Sequence, residues 1–223
     1  MRAYVARPEG TPRAGLLVFQ EIFGINSHIR DIAERFAREG YLAIAPELFH
    51  RTGPGFESGY ADMTEGFSHM KQVTDAGLAA DIRSAFDWLQ NSAPAKKLAT
   101  AAIGYCMGGR VSTIAAMTVP LACGISYYGG GIAPSPYHPG IIDRLKEVHA
   151  PMLLFWGGLD GMIKPEHVRM VTDGLRAANK PFASVEFSDA DHGFFCDQRG
   201  SYSAKAATEA WAITLAYLKN HAA

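Results

Sequence analysis

Apolar positions along the chain alternate between two patterns. Short continuous apolar runs read as buried strands, and longer stretches with helical spacing read as amphipathic helices. The first strand is Gly15–Gln20 (GLLVFQ). Asn26 can cap the helix that follows, SHIRDIAERFAREG, in which Ile29, Ile32, Ala33 and Phe36 share one face and Gly40 suits the C′ position. Tyr41–Ala45 is the next strand, stopped by Pro46. Asp75–Gln90 predicts a helix with Leu78, Ile82, Ala85, Phe86 and Leu89 on one face. Leu98–Gly104 predicts a strand, and Met107–Thr118 a helix of small residues that packs closely. Cys123–Tyr128 and Pro151–Gly157 are further strands. Pro165 opens a helix reaching about Ala178. Phe182–Phe187 is the last strand, and Tyr202–Lys219 a closing helix. Alternating strands and helices predict an α/β fold: a mostly parallel sheet with helices on both faces, in one domain over residues 1–223. The least regular segment, Phe49–Lys71, is rich in glycine and polar residues and reads as a lid or binding loop.

Composition narrows the functional classes. The chain has 223 residues, 48% of them hydrophobic and 19% charged, which suits a globular domain with a well-buried core. The formal net charge of -1 and the lack of a long basic run give no footing for nucleic acid or an anionic membrane. No apolar stretch reaches the roughly 20 residues that cross a bilayer. The opening residues MRAYVARPEG lack the apolar core of a secretory signal. Three cysteines, Cys106, Cys123 and Cys196, make a poor disulfide framework and suit a reducing cytoplasm. No C-x-x-C or H-E-x-x-H pattern occurs, so neither a zinc ion nor any other cofactor is expected.

The chemistry concentrates in AIGYCMGGR, Ala102 to Arg110. It has the form G-x-C-x-G and sits where a predicted strand ends and a helix begins. That is the setting of a nucleophile elbow, with cysteine in place of serine. At the helix N-terminus, the dipole favours the thiolate of Cys106. Cys123 and Cys196 have no such setting and read as packing residues. A nucleophile needs a base, and the base needs a carboxylate to hold its tautomer. Asp160 lies in the loop after one strand and His192 in the loop after the last, so the order is nucleophile, acid, histidine. Asp189 and Asp191 are rival acids, but so close to His192 in sequence that their backbone cannot readily aim a carboxylate at Nδ1. The other histidines read as surface residues. Ser112 and Ser126 lack flanking elbow glycines, which sets a serine-type esterase low.

The segments AYVARPEG, QEIFGIN, GYLAIAPELF, GYCMGG, YYGGG, GGLDGMI and DHGFFCDQRGSY together resemble the dienelactone hydrolase (carboxymethylenebutenolidase) family nearly end to end. The resemblance implies an α/β-hydrolase fold, a Cys-His-Asp triad and hydrolysis of a small enol-lactone or activated ester without a cofactor. It also implies that Glu21 meets the cysteine and accepts its proton. The backbone N–H groups of Ile22 and Met107 would form the oxyanion hole, and Tyr128 would lie at the substrate. Family members grip a substrate carboxylate with two arginines. Here the position four after His192 is Cys196 and no arginine lies between Thr52 and Lys71, so Arg51 and Arg199 are the nearby candidates. A general carboxylesterase or thioesterase and a non-catalytic binding protein are the competing readings. The expected partner is a small-molecule ester or lactone, with the chain a monomer or small homo-oligomer.

Overall fold

A computed structural model describes residues 1–92 and 98–222. Seven strands form one sheet in the order β1-β3-β2-β4-β5-β6-β7. They are β1 (Ala3–Ala6), β2 (Ala14–Phe19), β3 (Tyr41–Pro46), β4 (Thr100–Tyr105), β5 (Cys123–Tyr127), β6 (Met152–Gly157) and β7 (Phe182–Phe187). β1 runs antiparallel to β3, and every other pairing is parallel. All residues of β2 through β6 are buried, as strands covered on both faces must be. Edge strand β7 alternates between half-buried and exposed residues.

The helices are α1 (Ser27–Arg38), α2 (Thr64–Gln72), α3 (Asp75–Asn91), α4 (Met107–Thr118), α5 (Pro165–Ala177) and α6 (Ala204–His221), with a 3₁₀ turn at Ile142–Glu147. Asn26 caps α1 by accepting from the Ile29 N–H at 3.2 Å. Chain order runs outward from β2 to β3, then returns past β2 to β4. Right-handed crossovers therefore place α1 on one face and α3, α4 and α5 on the other. α6 returns beside α1, where the rings of Phe36 and Trp211 sit 4.6 Å apart. α3 and α4 are tied by Arg110, buried in α4, whose guanidinium donates to Asp75 Oδ1 at 2.7 Å.

Two departures from the sequence pattern have local causes. The irregular segment Phe49–Lys71 is helical from Thr64 onward, because Phe67 and Met70 face a cavity and supply the apolar contacts that a short helix needs. β1 escapes the pattern because it is short and only its last residue is buried. Among the described residues, no helix is long and apolar enough to cross a membrane.

Candidate active site

The strand order reverses between β2 and β4, and in open α/β sheets ligands bind beyond the C-terminal strand ends at such a switch point. Register decides what meets there. Phe19 pairs with Gly104, and Tyr105 with Tyr127, so Glu21, Cys106 and Tyr128 leave the sheet at one level.

Cys106 has φ 54° and ψ −117°, a conformation that L-residues rarely adopt and that costs on the order of 1–3 kcal/mol. It is held there by its N–H donating to the Tyr127 carbonyl and by its own carbonyl accepting from the Gly109 N–H, each at 3.0 Å. The flanking glycines are obligatory. A Cβ on Gly104 would lie 1.8 Å from the Gly108 carbonyl oxygen, and one on Gly108 would lie 2.2 Å from that of Phe19. The turn delivers the Sγ to the N-terminal end of α4.

His192 Nδ1 lies 2.7 Å from Asp160 Oδ2. The other Asp160 oxygen accepts from the N–H groups of Met162 at 2.7 Å and Ile163 at 2.9 Å. The carboxylate is thus locked, and with it the ring. Asp191 is engaged elsewhere, accepting from the backbone N–H of His192 at 2.6 Å, and Asp189 is exposed. Burial of the His192 ring works against its charge. The Cys106 thiolate and the Asp160 carboxylate outweigh burial and raise the ring to about 10. Burial likewise works to raise Asp160, but the hydrogen bond and charge of His192 and the two N–H donors bring it below its ordinary value. The charge of Cys106 is the first of the influences that raise the ring, ahead of the Asp160 hydrogen bond.

Glu21 is fully buried, with Oε1 accepting from Arg199 Nη1 at 3.1 Å and Oε2 without a partner among the described residues. The guanidinium lies over the rings of Phe23 and Tyr60 at 5.7 and 5.5 Å. Gly193, at φ +78°, leaves it room: a Cβ there would meet Arg199 Nη1 at 2.5 Å.

These groups border a cavity of about 430 Å³. Cys106, His192, Ile22, Met107 and Arg199 all line it. Its walls are mostly apolar, with Phe23, Met63, Phe67, Met70, Trp156 and Val171 among them, and Ser135, His138, Lys164 and His167 add polar groups. Phe67 stacks on Tyr137, with ring centroids 5.0 Å apart.

Two expected substrate residues lie elsewhere. Arg51 does not line the cavity; both its terminal nitrogens are held by Asp81 in α3, at 2.7 and 2.8 Å, which corrects the reading that paired it with Arg199. Tyr128 is wholly buried with its ring 5.1 Å from that of His192, and it packs beside that ring rather than lining the cavity. The sequence reading also missed the walls contributed by the loop 129–138 and by Met162–His167, where no residue carries a distinctive motif. His28 and His69, taken as surface residues, are buried.

The sequence profile of the Dienelactone hydrolase family matches residues 1–222. A "Putative carboxymethylenebutenolidase" from Synechocystis sp. is 36% identical over 214 residues, covering 93% of this chain and 87% of the relative. Another of that description, from Escherichia coli (strain K12), is 36% identical over 230 residues, covering 99% and 83%. A solved structure, described as a "Putative Dienelactone Hydrolase" from Klebsiella pneumoniae, superposes with a TM-score of 0.86 at 34% identity, covering 97% of this chain and 92% of that one.

Proposed function

Because the chain belongs to the dienelactone hydrolase family, and is therefore a hydrolase with the α/β-hydrolase fold, we propose that it cleaves a small activated ester or lactone through Cys106, His192 and Asp160 and a thioester acyl-enzyme. The observation that carries the proposal is the locked Asp160–His192 pair at 2.7 Å facing a cysteine held in a strained turn at the floor of one cavity.

The Cys106 sulfur attacks the carbonyl carbon, and the developing oxyanion takes the N–H groups of Ile22 and Met107. The tetrahedral species collapses with loss of the enolate or alkoxide, which takes a proton from His192. Acylation removes the charge from sulfur, and with it the strongest influence holding the proton on His192. The ring can then act as a base: it takes a proton from water, the hydroxide adds to the thioester, and the acid leaves as the thiolate re-forms. Glu21, through its unpartnered Oε2, is the acceptor for the thiol proton before the first attack.

Wall chemistry narrows the substrate. A mostly apolar cavity favours an aryl or alkyl ester, and among its lining residues Arg199 and Lys164 are the cations that could take a carboxylate. Since Arg199 is already engaged by Glu21, a lactone carboxylate bound at Arg199 must compete with that pair, whereas a neutral ester need not. This favours a general small-molecule carboxylesterase as the second reading. Cys106→Ala should lower kcat at least ~10³-fold on both a dienelactone and an aryl ester. Retained turnover on either would defeat the cysteine mechanism, and the ratio of kcat/KM between the two separates the readings.

A further inference from the structure

Beside the catalytic groups, three side chains that no sequence motif links converge in the interior. Glu21 follows β2, His28 lies in the first turn of α1, and Cys196 lies in the loop after His192. All three are buried, and one ligand atom from each lies within 4.8 Å of the other two. Glu21 and His28 are completely inaccessible, as is Cys196. Among the described residues, Glu21 Oε2 has no hydrogen-bond partner, and neither ring nitrogen of His28 has one. Buried polar groups are seldom left unpaired, so the convergence of the free Glu21 oxygen and the His28 ring on Cys196 calls for a shared partner. Cys196 has the Tyr60 hydroxyl within hydrogen-bonding reach, while the rings of Tyr105 and Phe195 flank His28 with centroids 6.1 and 6.5 Å away.

We propose that Glu21, His28 and Cys196 form a binding site for a thiophilic divalent cation, of which Zn²⁺ is the representative. The donor set fits that class. One thiolate, one imidazole and one carboxylate select borderline-soft ions over Mg²⁺ and Ca²⁺, which take oxygen ligands. Ligand atoms around a tetrahedral zinc are about 3.3–3.8 Å apart, given bonds of about 2.0–2.3 Å, so the three groups need close in by only about 1 Å. Charge also balances. The thiolate and carboxylate neutralise the ion, His28 binds as a neutral ring, and the displaced Cys196 proton goes to solvent. Oε1 can stay on Arg199 while Oε2 takes the metal. Three protein ligands leave a fourth position for water.

The consequence for activity rests on the role proposed above for Glu21. The free oxygen the metal takes is the one assigned to accept the Cys106 proton, so the bound ion inhibits acylation. No linear pattern announces such a site, because its ligands come from three separate elements.

The test titrates metal-free protein with Co²⁺ and Zn²⁺ and compares Cys196→Ser, His28→Gln and Cys106→Ala. The expected result is a thiolate-to-cobalt charge-transfer band that Cys106→Ala keeps and Cys196→Ser loses. Zn²⁺ affinity should fall at least ~100-fold in Cys196→Ser and His28→Gln. A missing band in the wild type overturns the site, and so does a band kept in Cys196→Ser but lost in Cys106→Ala. Circular dichroism reports folding; if one ligand variant does not fold, affinity in the other decides. These are binding readouts and stand even if Cys106 proves not to be the nucleophile. Zn²⁺ should also suppress ester hydrolysis by the wild type, while Cys196→Ser keeps its metal-free rate and resists. Equal inhibition of both would overturn the link to Glu21.

Discussion

At the scale of single residues, the proposed chemistry turns on how His192 and Cys106 share charge. Burial disfavours a charged His192 ring, and the thiolate is the first influence opposing it. The folded value of about 10 lies above the roughly 6.5 of an unfolded histidine. The stabilisation from the charged ring is therefore fully present below about pH 6.5 and lost as pH rises through about 10. Cys106→Ala removes the thiolate and leaves Asp160 alone against burial. The His192 ring should titrate near 10 in the wild type, by NMR, and at clearly lower pH in Cys106→Ala. Equal values in the two proteins would show that Asp160, not the thiolate, sets the proton affinity. In the proposed mechanism the same coupling would give the ring two roles in one turnover: it keeps its proton while sulfur is charged, and gives it up and then serves as a base once sulfur is bonded to the acyl carbon.

At the scale of elements, the site depends on helix starts and strand ends held in place by caps. Asn26 illustrates this. Its Oδ1 accepts from the Ile29 N–H to start α1, and its Nδ2 donates to the Tyr60 hydroxyl at 3.1 Å. Tyr60 in turn lies under the Arg199 guanidinium. Asn26→Ala removes both bonds and should destabilise the fold by about 1 kcal/mol or more. For a chain of this size that lowers Tm by about 2–4 °C per kcal/mol, read by thermal melting. Asn26→Asp keeps the acceptor and should recover the capping share but not the bond to Tyr60. If both variants melt like the wild type, the cap contributes nothing to α1. The second helix, α2, makes a different point: Met63 makes no side-chain cap, Asp62 Oδ1 accepts from the Thr64 N–H at 2.8 Å instead, and the helix lends an apolar wall to the cavity.

At the scale of the whole molecule, a net charge of -1 spread over a mixed surface offers no field to steer a ligand. For a neutral aryl ester, kcat/KM should change less than about twofold between ~0.02 and ~0.5 M salt. A drop of tenfold in a salt titration would reveal long-range attraction that this charge distribution does not contain. The element order was legible in the chain, because strand and helix periods are local and Asn26, Gly40, Pro46 and Pro165 punctuate them. The candidates Cys106, Asp160 and His192 were legible for a related reason: each sits in the loop or turn immediately after a strand, and parallel strands bring those ends to one edge. Other features depended on the fold. The ion pair of Glu21 with Arg199 joins residues 178 positions apart, and Asp81 holds Arg51 away from the cavity. The apolar cavity is assembled from separate segments, and the convergence of His28 with Glu21 and Cys196 crosses three elements. Turn chemistry and periodicity are written within a few residues. Which distant side chains meet is decided by sheet register and crossover hand, and no short stretch of sequence encodes either.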